Sequence, residues 1–256
     1  MADRLGIDLG REFLRQNFGA GTDLYNFLER YTMDTASWLG PNGDDFMGDT
    51  LHGGYQSTAS GAASAAAAIS TGVVNGAILL DAGTDDNGRS DLSLGLHFRG
   101  DQNAMMIARV TLATITTCKA EIGFTDVISG TDAGAVNVKA TPTFTATDCA
   151  VWCLDTNNNA NWEGLGNAAG VAATTLAAGI SPVAATYEYL GVALLDGDAY
   201  YTRWSAAGKK TYGPTRQASA ITKTVLLTPW LFVQNRSAAN HTMTVDWLGV
   251  WQRRTT

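Results

Sequence analysis

From Trp38 to the C-terminus, short apolar runs are broken by clusters of Gly, Asn, Asp and Pro at strand-like spacing, the pattern of strands joined by turns. Nine runs stand out: AILLDAG from Ala77, SLGLHFRG from Ser93, MMIARVTLAT from Met105, CKAEIGFTDV from Cys118, CAVWCLD from Cys149, EYLGVALLDG from Glu188, AYYTRW from Ala199, TVLLTPWLFVQN from Thr224 and TMTVDWLGVWQ from Thr242. In SLGLHFRG, Leu94, Leu96 and Phe98 alternate with Ser93, Gly95, His97 and Arg99. That alternation predicts a strand with one buried and one wet face. In the last run, Met243, Val245, Trp247 and Trp251 are expected to share one face. Asp196-Gly197, between two runs, supplies the positive φ values of a two-residue hairpin turn. No amphipathic segment of helical length separates the runs, which argues against a parallel sheet.

The first 36 residues read differently. They hold ten charged side chains, with Phe13, Leu14 and Phe18, then Leu24, Phe27, Leu28 and Tyr31, at helical spacings. Two short amphipathic helices or turns are expected here, separated near Gly19 and Gly21. The division is therefore a helical arm over 1–36 and a β-sandwich domain over 37–256. Such a segment either packs under the domain or docks on another subunit; on the second reading the arm's Phe13, Phe18, Phe27 and Leu28 are attachment or oligomerisation contacts, and its removal is expected to spare the domain. Two small-residue stretches, 57–72 and 167–181, fit either loops or flat strands.

Composition sharpens this picture. At 256 residues and 45% hydrophobic, the chain can bury a large core as one main domain. Charged residues are only 16%, and 28 glycines favour turns over salt-bridged helices. Acidic residues outnumber basic ones by 24 to 17, so the surface field repels phosphate and nucleic acid is a poor partner. No apolar stretch reaches spanning length and the N-terminus lacks a signal-peptide core, so the expectation is a protein made in the cytoplasm with no membrane span. Cys118, Cys149 and Cys153 show no metal spacing and read as buried free thiols, the latter two on one strand face, with a disulfide to Cys118 as the alternative.

DDFMGDTLHGGY at 44–55, SLGLHFRG, MMIARVTLAT with CKAEIGFTDV, LLDGDAYYTRW and the closing LTPWLFVQNRSAANHTMTVDWLGVW together resemble the concanavalin A-like lectin/glucanase jelly roll. The resemblance covers residues 44–252. It implies a mainly β fold, a two-sheet antiparallel jelly-roll sandwich, preceded here by the short helical arm. Versions with a charged arm and no signal peptide resemble bacteriophage virion proteins: head decoration, head fibre or tail fibre components. What the resemblance implies is a virion location, contacts with other virion proteins through the arm, a homotrimer and adhesion to host-surface glycans.

Enzymes of this fold place carboxylates two apart on a strand, to act across a sugar. Here Glu121, Glu188 and Asp246 each stand alone on their runs, and Glu121 and Asp246 are expected at solvent or in turns. His52, His97 and His241 have no nucleophile at motif spacing. The expectation is a non-enzymatic structural display protein, with a carbohydrate-binding lectin module and a glycan hydrolase or lyase as alternatives. No cofactor is expected except calcium. Asp81, Asp85, Asp86, Asn87 and Asp91 offer oxygen ligands for Ca²⁺, but match no EF-hand and are equally explained by turn chemistry. Trp152, Trp230, Trp247 and Trp251 are expected in the core. Trp162, Tyr200, Tyr201 and Trp204 are the expected exposed platform for a sugar ring.

Overall fold

A computed structural model describes residues 36–37, 43–74, 76–128, 134–177 and 180–253; Phe13, Phe18, Phe27, Leu28 and the rest of the arm to Thr35 lie outside them. In chain order the strands are β1 (Ala36–Ser37), β2 (Ala59–Ser60), β3 (Ala65–Ile69), β4 (Ile78–Asp81), β5 (Arg89–Ser93), β6 (Met105–Leu112), β7 (Cys118–Thr125), β8 (Val136–Val138) and β9 (Thr143–Phe144). They continue with β10 (Cys149–Asp155), β11 (Asn159–Ala168), β12 (Val171–Ala172), β13 (Leu176–Ala177), β14 (Glu188–Leu195), β15 (Asp198–Ser205), β16 (Lys210–Gln217), β17 (Thr228–Asn235) and β18 (Thr242–Gln252).

The first sheet runs β16-β15-β14-β6-β18-β4-β3, with β1 also on β18. The second runs β12-β11-β10-β7-β17-β5-β2, with β13 also on β11. All pairings are antiparallel, and β8 and β9 form a separate small ribbon. The two sheets pack face to face as a sandwich. Between them lies one apolar core that includes Met106, Ala108 and Val110 of β6, Ile122 and Phe124 of β7, Trp152 of β10 and Leu231 and Val233 of β17, with the partly buried Tyr212 of β16 packed against it.

Period-2 alternation placed most long strands correctly. The predicted hairpin is present: Leu195 pairs with Asp198, and Asp196 and Gly197 take φ values of 50° and 95°. Three expectations are corrected. SLGLHFRG is not a strand beyond Ser93, because the sheet pairing shifts back to Arg89–Ser93 and only Phe98 makes an isolated bridge, to Leu227. The four-residue face in the last run is split by a bulge between Val245 and Trp247. Met243 and Val245 point into the inter-sheet core, while Trp247 and Trp251 lie on the outer face of the first sheet, since one extra residue moves all later side chains to the opposite face. Finally, β11 and β16 lie outside the nine runs. Their Asn, Gly and Pro content hides strands whose turn-forming residues are tolerated at a glycine-lined face and at a sheet edge.

The edges are blunted. Ser57 Oγ accepts the Ala67 N–H at 2.6 Å and Ser90 Oγ donates to the Ala65 carbonyl at 2.7 Å, clasping β3 to the second sheet. At the opposite side Gln217 donates to the Thr174 carbonyl at 2.7 Å and accepts from Tyr201 at 2.9 Å. The outer edge strand β16 carries Pro214, and β12 and β13 are two residues each. Short strands, proline and side-chain clasps all deny a template to another chain.

Candidate functional site

The outer face of the second sheet concentrates unusual chemistry. On β7, Cys118, Ala120, Ile122 and Phe124 face the core, so Lys119, Glu121 and Gly123 face outward. Pairing sets Glu121 between Cys153 of β10 and Phe232 of β17, with Glu163 of β11 beyond Cys153. On such a strand face a carboxylate is normally wet. Here Lys119 and Glu121 are both 0% exposed, because residues 134–146, with the β8-β9 ribbon, lie over them.

The cover is fastened by the charges it buries. Glu121 takes the N–H groups of Ala135 and Val136 at 2.8 and 3.0 Å, the Trp230 indole N–H at 3.0 Å and Lys119 Nζ at 2.8 Å. Lys119 also donates to the Val136 carbonyl and sits 5.3 Å from the centre of the Phe232 ring. Lys139 reaches across to the Asn161 carbonyl at 2.6 Å and Asn159 Oδ1 at 2.9 Å, with Glu163 at 3.5 Å. Ala135, Val136 and Ala146 join Cys149, Val151, Cys153, Leu165, Trp230 and Phe232 in a second apolar cluster under this cover. Sequence reasoning missed this site; a Lys and a Glu two apart in an apolar run was the available signal. Glu121 is thus corrected from solvent to interior: a carboxylate holding four donors, sealed from any sugar, has no lone pair free for acid-base work.

The remaining strand carboxylates are also committed. Glu188 lies inside the sandwich, bound by the Trp162 indole N–H at 2.9 Å and by Arg203. Burial pushes its carboxyl up, opposed by the Arg203 charge and then by the Trp162 bond. Asp155 pairs with Arg236.

The expected sugar platform does not form. Trp162, Tyr201 and Trp204 are buried, and only Tyr200 is partly exposed. Strand alternation explains the correction: Trp162 and Tyr201 project inward from β11 and β15, where Trp152 packs edge-on against Tyr201 at 5.2 Å. The proposed calcium ligands are dispersed. Asp81 accepts the Gly83 N–H at 2.8 Å, Asp85 the Ala62 N–H at 2.6 Å, and Asp91 both Thr58 groups at 3.0 and 2.7 Å. Asp86 and Asn87 are exposed in the turn. No group of three His, Cys, Asp or Glu side chains arranged for a metal occurs among the described residues. The turn is instead clasped by buried Asn235, whose amide donates to the carbonyls of Gly83 and Asp85 at 2.8 and 2.9 Å. The three cysteines are free and buried, with Cys149 and Cys153 on one face as expected, though that face is the covered outer one.

A partly open constellation remains on the first sheet. The β18 bulge turns Asp246 outward to pair with Arg109, whose guanidinium lies 4.1 Å over the half-buried Tyr187 ring and 5.8 Å from Tyr189. Asp45 stands beside it, its carboxyl pushed up to about 6 by burial and by the Asp246 and Asp44 charges. The loop carrying Asp45 continues into one wall of an open groove of about 600 Å³, lined by Phe46, Met47, Asp49, Ile69, Ser70 and Val73. Aromatic faces combined with charged hydrogen-bonding groups are a chemistry that contacts sugars.

No protein-family model and no curated protein matches the chain. Solved structures do. Peanut lectin superposes with a TM-score of 0.57 at 11% identity, covering 87% of this chain and 100% of the lectin. The Bacillus licheniformis β-glucanase gives 0.53 at 9%, covering 86% and 99%. A protein of unknown function from Shewanella oneidensis MR-1 gives 0.57 at 15%, covering 84% and 88%. The chain is therefore a mainly β, two-sheet antiparallel sandwich that shares its fold with peanut lectin and the Bacillus licheniformis β-glucanase.

Proposed function

We propose that this chain is a non-catalytic display domain, structural and adhesive, that presents a glycan-contact surface. The observation that carries the reading is the self-sealed outer face of the second sheet: its Glu121, Asp155 and Glu163 are each engaged by the protein's own cations or backbone. A fold shared by a lectin and a glucanase is compatible with either role, and the occupied carboxylates favour binding over hydrolysis. The contact surface in this reading is the Arg109, Tyr187 and Asp246 constellation with the adjoining groove. Three carboxylates, Asp44, Asp45 and Asp246, against one guanidinium suit neutral glycans over uronates.

A glycan array run with and without EDTA tests the reading, with Tyr187→Ala and Arg109→Ala expected to lower any signal at least tenfold and EDTA to leave it unchanged. Release of reducing or unsaturated sugar ends by the parent, lost in Glu121→Gln, would replace the binding role with a hydrolase or lyase. The virion setting of this reading, with other virion proteins and a homotrimer, rests on the sequence resemblance. Mass spectrometry of purified particles tests it.

A further inference from the structure

We infer that Lys139 and Asn159 join covalently in this protein, the Lys139 amine displacing ammonia from the Asn159 side-chain amide while Glu163 carries the proton. Lys139 follows β8 in the cover, and Asn159 and Glu163 belong to β11 beneath it. The Lys139 side chain is 0% exposed and that of Glu163 10%, so the groups meet largely out of water. Two donors face Asn159 Oδ1: Lys139 Nζ at 2.9 Å and the Asn161 backbone N–H at 3.0 Å. One acceptor faces Asn159 Nδ2, Glu163 Oε1 at 2.8 Å. A side-chain amide satisfies that set in one orientation, with its carbonyl toward the amine and its NH₂ toward the carboxylate. Lys139 also donates to the Asn161 and Asn159 carbonyls at 2.6 and 3.4 Å, which holds Nζ beside the amide.

A simple ion pair would bring its carboxylate onto the ammonium. Here Glu163 Oε1 stands 3.5 Å from Lys139 Nζ and closer, at 2.8 Å, to the amide nitrogen. A carboxylate within reach of both nitrogens can take a proton from one and give it to the other. The Lys139 ammonium passes a proton to Glu163, and the neutral amine attacks Asn159 Cγ. The Asn161 N–H meets the charge that develops on Oδ1. The Cγ–Nδ2 bond breaks as Glu163 returns the proton to Nδ2, and the surplus proton of the new Nζ–Cγ linkage leaves through the same carboxylate. One ammonium and one amide thus become a secondary amide and an ammonium ion, with no oxidant and no cofactor. The fold supplies the proximity that makes amine and amide react. The product closes a loop from Lys139 to Asn159 that contains β9 and β10, so the cover stays tied to β11 even when the strands between them unfold.

Mass spectrometry of the full-length chain tests this. The denatured parent should be lighter than its sequence by about 17 Da, one ammonia. Trypsin should fail to cut after Lys139, leaving residues 120–203 as one peptide, and further digestion with chymotrypsin should release a branched peptide holding Lys139 and Asn159. Lys139→Arg and Asn159→Ala should each show the full mass of their own sequences while keeping the far-ultraviolet strand signal. Glu163→Gln should slow the loss of ammonia by on the order of 100-fold, followed as the linked fraction against time. A parent that keeps its full mass and is cut after Lys139, even after long incubation at neutral pH, would overturn the inference. So would a mass deficit that persists in Lys139→Arg, because it would then come from cyclisation of an asparagine elsewhere. The glycan array is independent of the link, so failure here leaves the proposed function standing, and the reverse holds.

Discussion

Lys119 and Glu121 show what a side chain's address can override. Either residue alone, placed at 0% exposure, would be an uncompensated buried charge; together, with two backbone N–H groups, an indole and a carbonyl, they are satisfied. Glu121→Ala is expected to lower unfolding free energy by about 3–5 kcal/mol in urea titration, since it strands Lys119 in the interior. The double variant Lys119→Met, Glu121→Leu should recover most of that loss, as apolar pairs of similar volume commonly do. Asp45 gives a second expectation, of pH dependence. Its carboxyl titrates near 6 in the folded protein against an ordinary 3.8, so the folded state holds the proton more tightly. The Asp45 contribution to stability should therefore fall as pH rises from about 4 to about 6 and level off above, and Asp45→Asn should make the slope over this range shallower in thermal melts. Neither residue's setting was legible in the sequence. Glu121 looked like an ordinary wet strand position because the cover that buries it begins 14 residues away in a stretch rich in Thr and Ala. Trp162 looked exposed because five of its neighbours are Asn or Ala, although its place in the β11 alternation points it inward.

At the scale of elements, period-2 patterning located β4, β6, β7, β10, β14, β15, β17 and β18, because each has a core-facing apolar set strong enough to read. It failed where the buried face was mostly small: Gly164 and Gly166 of β11 lie against Tyr201 and Gln217, leaving Trp162 as the one large apolar side chain on that face to signal the strand. It also failed where one residue breaks the period, as at the Asp246 bulge. Glycine within the well-predicted β7 carries a separate expectation. A Cβ on Gly123 would fall inside contact distance of the Ala150 carbonyl oxygen on the paired strand β10. Gly123→Ala should therefore cost about 1–3 kcal/mol by denaturant titration, through forced separation of β7 from β10.

Across the molecule, the interior is reached only by unfolding most of it, because every long strand is hydrogen-bonded on both sides except those at the edges. The thiols report on this. Burial pushes Cys118 up to about 12 and raises Cys149 and Cys153 further still. A disulfide reagent at pH 8 should label none of the three in the native protein and all three in denaturant, with a labelling rate equal to that of global unfolding. Labelling of Cys149 and Cys153 ahead of unfolding would mean that the 134–146 cover opens by itself.

The clasped edges have a consequence for how many copies can share a small volume. A sandwich whose marginal strands offer their backbone to a neighbour polymerises when crowded, since each added molecule exposes a fresh margin for the next. Here Ser57 and Ser90 tie one margin shut, and Pro214 with the Gln217 clasp guards the other. Neighbouring molecules are left to meet through faces and loops, where contact saturates at a defined number of partners. A surface could carry this domain at high density and stay a lattice of separate units.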